Sequence, residues 1–223
     1  MNDLLWAAGW AAVLAGGLGA VVLLKGLGMP RTYARDVLHV GAGVWVAGWP
    51  AWKGWVVPVG VAWTVFALLA TLGVVTPRVR FLRRVVESVS GDDERWAGIV
   101  AYGGSFAALT TLALAGGYVL PAAFAAASLS LGDGLGGLVG RRFGRLRFRL
   151  PWSKSKTLEG TLAVAAFSAL GVALAAWALS SPVGPGPVLL LGFVSATAEA
   201  VAPRAWDNVL VPAAVFAAAL AVG

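Results

Sequence analysis

Apolar runs long enough to cross a membrane recur along this whole 223-residue chain, which is 59% hydrophobic and only 12% charged. A soluble domain of this size could not bury so much apolar surface in one core. A helix of about 20 apolar residues, in contrast, crosses the hydrocarbon layer of a bilayer. The sequence therefore predicts an all-α, polytopic membrane helix bundle. We expect one integral membrane domain over residues 1–223, because no linker or repeat divides the chain.

Length and hydropathy define about eight candidate membrane segments. They cover residues 4–24, 37–52, 55–75, 97–116, 118–140, 159–180, 187–202 and 206–223. The second and seventh are short and contain glycine, so either could be a tilted, broken or re-entrant helix, and the count could be seven. The first run has neither a basic leader nor a clear cleavage site, which argues against a removable signal peptide.

The basic residues alternate between the connections. All of the 17 except Lys53 follow the first, third, fifth or seventh segment, and Lys and Arg are retained on the cytoplasmic side of short loops. The pattern predicts cytoplasmic basic loops and two external termini. Topology and attraction to anionic lipid headgroups explain the net charge of +7, so nucleic-acid binding is not expected.

The acids are scarce, and the chain contains no cysteine, which excludes disulfides, cysteine-ligated zinc and thiol nucleophiles. Any catalysis must then use oxygen and nitrogen groups. Asp133 is notable because it lies inside or at the end of an apolar helix, where an ionised carboxylate costs about 2.5–3.5 kcal/mol. A structural ion pair with Arg141, two helical turns later, is the alternative to a functional role.

Glycines surround this acid in "GDGLGGLVGRRFG", residues 132–144. Each weakens a helix by up to about 1 kcal/mol relative to alanine, so we expect them to permit a close approach by a ligand or a neighbouring helix. Helix packing alone is the alternative, but it leaves the acid unexplained. A dinucleotide-binding loop is excluded because a membrane helix, not a strand, precedes the glycines. The residues predicted to share one helical stripe are Asp133, Gly137, Gly140 and Gly144.

The basic stretch "PWSKSKTLEG" before the sixth segment has chemistry suited to phosphate. Lys154 and Lys156 supply positive charge, and Ser155 and Thr157 supply hydroxyls. The helix start at residues 158–160 is expected to present free backbone N–H groups. Together with Asp133, this stretch predicts a site in which Mg²⁺ bridges a carboxylate and a polyphosphate.

Two further polar patches fall on the same predicted face. One includes the single histidine of the chain, His39, although a lone histidine is often a packed core residue. The other lies between the last two segments, where Glu199 could simply pair with Arg204. The first patch consists of Arg35, Asp36 and His39, and the second consists of Glu199, Asp207 and Asn208.

These motifs resemble those of the polyprenol kinase family, which includes dolichol, phytol and farnesol kinases and is related to phosphatidate cytidylyltransferases. The resemblance spans most of the chain. It rests on the R-x-x-x-H element from Arg35 to His39, on "GDGLGGLVGRRFG" followed by "KTLEG", and on Glu199 followed by "DN" and Pro212. The middle element is shared with the cytidylyltransferases. Their C-terminal G-G-x-x-D-R-x-D element is replaced here by "WDNVLVPAA", which favours the kinase.

The resemblance implies transfer of the γ-phosphoryl group of CTP, with UTP or ATP as alternatives, to a long-chain isoprenoid alcohol. The site would lie at the cytoplasmic interface, with His39 accepting the alcohol proton. The catalytic candidates are Asp133, His39, Glu199 and Asp207, and the Mg²⁺ ligands are Asp133 and Glu159. The nucleotide- and phosphate-binding candidates are Gly132, Gly134, Gly137, Gly140, Arg141, Arg142, Lys154, Lys156, Thr157, Glu159, Gly160 and Asn208.

Two other functions remain open at this point. A cytidylyltransferase acting on a lipid phosphate would release pyrophosphate instead of a nucleoside diphosphate. A transporter would use Asp133 as an intramembrane ion ligand in a broken helix and would turn over no nucleotide. The sequence also leaves open which alcohol is used and whether the protein forms a homodimer.

Overall fold

The chain forms an all-α bundle in a computed structural model that describes residues 2–75, 93–153, 155–203 and 206–222. The fold class is thus confirmed. The helices are α1 (Asp3–Gly26), α2 (Arg31–Ala42), α3 (Val44–Ala47), α4 (Val56–Val75), α5 (Asp93–Leu114), α6 (Val119–Ala127), α7 (Gly134–Phe143), α8 (Leu158–Ala178), α9 (Pro185–Val201) and α10 (Asp207–Val222). A π-helical segment, Ser128–Asp133, joins α6 to α7. Two short strands, β1 (Arg147–Phe148) and β2 (Lys156–Thr157), pair antiparallel before α8.

Among the described residues, four helical stretches are long and apolar enough to cross a bilayer, which indicates an integral membrane protein. Inside hydrocarbon, backbone polar groups must be satisfied within the chain, which favours continuous helices. The long stretches are Asp3–Gly26, Trp96–Leu114, Val119–Phe143 and Leu158–Ala178, and shorter apolar helices cover Val56–Leu72, Pro185–Val201 and Asp207–Val222. All predicted segments except the second match these helices to within a few residues. The predicted basic loop after α4 lies mostly outside the described residues.

The second predicted segment, residues 37–52, is not one helix. The chain breaks after α2 and again after α3, and a 3₁₀ turn at Trp49–Ala51 follows. Both breaks occur at glycines in close contact with another helix. A Cβ atom on Gly43 would lie 2.5 Å from Ser130 Oγ, and one on Gly48 would lie 2.5 Å from Trp10 Cζ2. Prediction of a single span was therefore wrong, and the broken alternative is the one observed.

Helix α6 lies at the centre of the bundle. Every residue from Ala122 to Ala127 is buried, and α5, α8 and α10 all contact this helix. Five of these six residues are alanines, so the surrounding helices approach its backbone closely. The side chains of Leu129, Val172 and Val215 complete the core and are fully buried.

Helix α7 and the π-helical segment pack against α8 through glycines spaced four residues apart. A Cβ atom on Gly136 would lie 2.3 Å from Val164 Cγ2 and 2.9 Å from its backbone nitrogen. One on Gly140 would lie 3.2 Å from the Cα of Gly160. Gly140 therefore belongs to a packing stripe, and the close approach that its stripe was expected to permit is that of a neighbouring helix. The same holds for Gly144, where a Cβ would lie 2.6 Å from Thr157 Oγ1.

We expect Gly136→Ala to destabilise the bundle by about 1–3 kcal/mol, because the added methyl meets the backbone of α8, which cannot rotate away. The measurement is the unfolding midpoint in detergent. Gly17→Ala is the matched control, since nothing lies within 4 Å of a Cβ there and alanine favours a helix by up to about 1 kcal/mol. Equal midpoints for the two variants would contradict this packing.

Candidate active site

Asp133, the last residue of the π-helical segment, lies at the centre of a polar cluster. Its Oδ2 is 3.6 Å from Nε2 of His39 on α2, and the side chains are 17% and 6% exposed, respectively. The Asp133 carboxylate also interacts electrostatically with Asp36, Glu199 and Asp207. Side chains from α2, α9 and α10 thus meet at the end of the π-helical segment. All four predicted catalytic residues belong to this cluster.

The His39 ring is held from two sides. It stacks on Tyr102 of α5, with ring centroids 4.0 Å apart and an interplanar angle of 24°, and the Tyr102 hydroxyl donates to the His39 carbonyl at 2.8 Å. Asn208 interacts with the His39 side chain and donates from Nδ2 to the Gly98 carbonyl at 3.1 Å. Sequence reasoning missed Tyr102, because an aromatic residue inside an apolar helix carries no signal of its own.

Arg141 binds Asp36 of α2, not Asp133. Its guanidinium donates to the Asp36 carboxylate, and Arg35 Nη2 lies 4.0 Å from the other Asp36 oxygen. The structural ion pair between Asp133 and Arg141, which was the alternative to a functional role for Asp133, is therefore not observed. Burial raises the pKa of the Asp36 carboxyl to about 6, against the opposing effects of Arg141 and then Arg35. Asp36 was part of a predicted patch but was not among the predicted catalytic residues.

Lys156 brings a positive charge into the cluster from β2. Its Nζ donates to both the carboxylate and the carbonyl of Glu199, and both side chains are 14% exposed. Pairing of Lys156 with Phe148 across the two strands fixes its position. Glu199 thus has a lysine partner, whereas its alternative partner Arg204, and also Lys154, lie outside the described residues.

The start of α8 is already capped by the protein. Thr157 Oγ1 accepts from the Gly160 N–H at 3.2 Å, and the Leu158 N–H donates to the Leu146 carbonyl at 2.9 Å. The prediction that the N–H groups of residues 158–160 are free is therefore wrong for these two. Both Glu159 carboxylate oxygens accept from the Leu146 N–H at 3.2 Å. Glu159 is thus engaged with the turn before β1, while Asp133 faces His39.

The glycines predicted to admit phosphate divide into two groups. A Cβ on Gly132 or Gly134 would meet Ser168 or Val40, respectively, and Gly140 meets Gly160, so these positions serve helix packing. Gly137 differs. Among the residues that the structure describes, Arg141 alone has a side chain within 4 Å of the Cβ position of Gly137, with Nη1 at 3.2 Å.

The remaining predicted phosphate ligand in this region is Arg142, whose guanidinium lies 5.9 Å from the Phe143 ring centroid and whose side chain is exposed. Within the described part of the chain, no three histidine or acidic side chains are arranged to hold a metal ion. Coordination of one metal ion by both Asp133 and Glu159 therefore stays a prediction.

Thr157→Ala is expected to lower the free energy of unfolding by about 0.5–2 kcal/mol, because it removes the hydroxyl that caps α8. Thr157→Ser keeps this hydroxyl and should retain most of the stability. Unfolding of the three proteins in detergent, without nucleotide, tests the cap. If the alanine variant were as stable as the parent, the hydroxyl would be free for a ligand instead.

A curated phytol kinase is similar to this chain, in agreement with the resemblance of its motifs to those of the polyprenol kinase family. The relative comes from Synechocystis sp. and is 38% identical over 167 residues. The aligned residues cover 69% of this chain and 65% of the relative, slightly less than two thirds of its length. No family model matches the chain, and no solved structure matches it.

Proposed function

We propose that this protein is an isoprenoid alcohol kinase that transfers the γ-phosphoryl group of a nucleoside triphosphate to an alcohol such as phytol. CTP is the proposed donor, with UTP or ATP as alternatives. Similarity to a phytol kinase supports the class of acceptor. The observation that carries the proposal is the contact of Asp133 with His39 beside the partly buried Lys156–Glu199 pair.

We propose that Asp133 would hold Mg²⁺ jointly with the phosphates of the substrate, because Mg²⁺ is usually held by one or two carboxylates together with substrate phosphates. Glu199 and Asp207, which interact electrostatically with Asp133, remain candidate orienting acids. We assign Asp133 as the main ligand. When bound, the ion would neutralise charge on the transferring phosphoryl group.

Basic side chains around the cluster supply further stabilisation of a triphosphate. Lys156 reaches into the cluster, and its interaction with Asp207 as well as Glu199 places its charge between acids from two helices. Arg141 lies beside the open backbone at Gly137. Fixed cations aimed at developing negative charge are the main catalytic device in phosphoryl transfer.

The acceptor side is suggested by a shallow, open and mainly apolar depression between the end of α1 and the start of α2. Arg141 Cζ lies 5.7 Å from the Tyr33 ring centroid and pairs with Asp36, so the depression adjoins the polar cluster. It is lined by Leu24, Leu27, Gly28, Met29, Pro30 and Tyr33.

In the proposed reaction the alcohol oxygen bonds to the γ-phosphorus as the bond from that phosphorus to the β–γ bridging oxygen breaks. A nucleoside diphosphate leaves, and the alcohol proton passes to His39, whose pKa is lowered by burial to about 4, so that the ring is neutral and can accept a proton. Asp133 Oδ2 faces Nε2 of the ring and stabilises its protonated form. We also propose that this site and the basic loops face the cytoplasm, with both termini outside.

The test is a product analysis with purified protein and Mg²⁺. CTP, UTP and ATP are each combined with phytol, farnesol and dolichol, and lipids and nucleotides are identified by mass spectrometry. We expect a prenyl monophosphate and a nucleoside diphosphate. Substrate flux into vesicles without nucleotide turnover would instead identify a transporter.

A further inference from the structure

The π-helical segment Ser128–Asp133 determines the direction in which Asp133 points. It interrupts an otherwise continuous helix from Val119 to Phe143. A π-turn inserts one extra residue into an α-helix, which rotates everything after it by about 100° relative to an uninterrupted helix. Asp133 faces His39, and Gly136 faces Val164, only with this rotation in place.

The sequence of the segment does not by itself require a π-turn. It reads "SLSLGD" and contains no proline, and a π-turn leaves a helix carbonyl without its usual partner. In an apolar interior such a carbonyl needs another donor. The stabilising contacts must therefore come in large part from neighbouring helices.

A serine of α8, supported by a serine of α9, supplies a donor to the carbonyl of Ser128, the first residue of the segment. Ser168 Oγ of α8 donates to the Ser128 carbonyl at 3.4 Å and lies 2.7 Å from Ser195 Oγ of α9. Because the single Ser168 proton goes to the carbonyl, Ser195 must donate to Ser168. All three serines are 0% exposed, so water does not compete for these bonds.

The packing around the segment accommodates this arrangement. A Cβ atom on Gly132 would lie 2.0 Å from Ser168 Oγ, so the hydroxyl occupies the space that a side chain would need. Ser130 Oγ donates to the Ala126 and Ala127 carbonyls, which satisfies acceptors at the start of the segment.

We infer that Ser168 and Ser195 are positioning residues that hold the π-helical turn and thereby aim Asp133 at His39. Neither residue touches the cluster itself. The catalytic part of this inference rests on the proposed kinase function, and the geometric part does not. The experiment therefore has one arm for each.

The geometric arm uses Ser168→Ala in the cysteine-free chain, with spin labels on cysteines replacing Phe143 and Leu162. Both positions are exposed, at 60% and 61%, and lie on α7 and α8. We expect the label-to-label distance distribution to shift, or to gain a second population, relative to the same labels with Ser168 intact. Thr197→Ala is the control, because it removes an exposed α9 hydroxyl that donates to its own helix.

The kinetic arm uses the unlabelled variants. We expect Ser168→Ala to lower kcat about 10- to 100-fold, as a displacement of about 1 Å at a reacting group does. The KM for nucleotide should change little, because Lys156 and Arg141 are untouched, and half-saturation by Mg²⁺ should rise. Ser195→Ala should act in the same direction but less strongly, and Thr197→Ala should match the parent.

An unchanged distance distribution in Ser168→Ala would overturn the inference whatever the activity. A shifted distribution with unaltered kcat would overturn the positioning role. If the parent protein phosphorylates no alcohol while the distances shift, the proposed function fails and the geometric inference is supported.

Discussion

Asp133→Asn is expected to lower kcat about 10³-fold at saturating Mg²⁺ while leaving the fold intact. Asparagine has the shape of the acid but lacks the charge that would hold the metal and stabilise protonated His39, and loss of one such group costs about 10²–10³-fold. The fold should survive because Asp133 has no arginine partner to lose: Arg141 pairs with Asp36. The measurement is the initial rate of prenyl phosphate formation together with the unfolding midpoint in detergent.

Asp3→Asn provides the matched control for this result. Asp3 accepts hydrogen bonds from the Lys53 and Gly54 N–H groups and lies outside the polar cluster. The activity of the Asp3→Asn variant should therefore equal that of the parent. Activity of Asp133→Asn within about threefold of the parent would exclude Asp133 as the proposed metal ligand. Such a change corresponds to less than about 1.4 kcal/mol of activation free energy, which is the amount that changes a rate tenfold.

The second large effect is expected for Lys156→Met. Turnover should fall about 10²–10³-fold through loss of the cation near the phosphates. The free energy of unfolding should also fall by up to about 3–5 kcal/mol, because Glu199 is left as a largely buried, unpaired carboxylate. Rates and unfolding are measured on the same detergent preparations.

The double variant Lys156→Met/Glu199→Gln separates these two effects. Removing both charges should restore much of the stability but not the turnover, and Glu199→Gln alone reports what the acid contributes. Recovery of turnover together with stability in the double variant would show that Lys156 acts only as the partner of Glu199.

The helices were predictable because a bilayer permits few alternatives to a continuous helix. Glycines at positions 43 and 48 signalled that the second segment could break. The gathering of Asp133, His39, Glu199 and Asp207 was also predictable, because the alternation of basic residues brings the polar ends of these segments to one face.

The partners of these residues were not predictable from spacing along one helix. Arg141 is two turns from Asp133, but α2 packs closely at Gly134 and presents Asp36 to the arginine instead. The turn before α8 folds back, so that Leu146 and Thr157 satisfy groups that were expected to bind phosphate. The π-helical turn depends on Ser168 and Ser195, which are far from it in sequence.

The most direct test of the account follows the fate of the label in CTP incubated with phytol, Mg²⁺ and the purified protein. With label on the γ-phosphate, we predict that it appears in phytyl phosphate in equal amount to the CDP released. Label that instead enters the lipid only from the α-phosphate, with release of pyrophosphate, would contradict the account and identify a cytidylyltransferase.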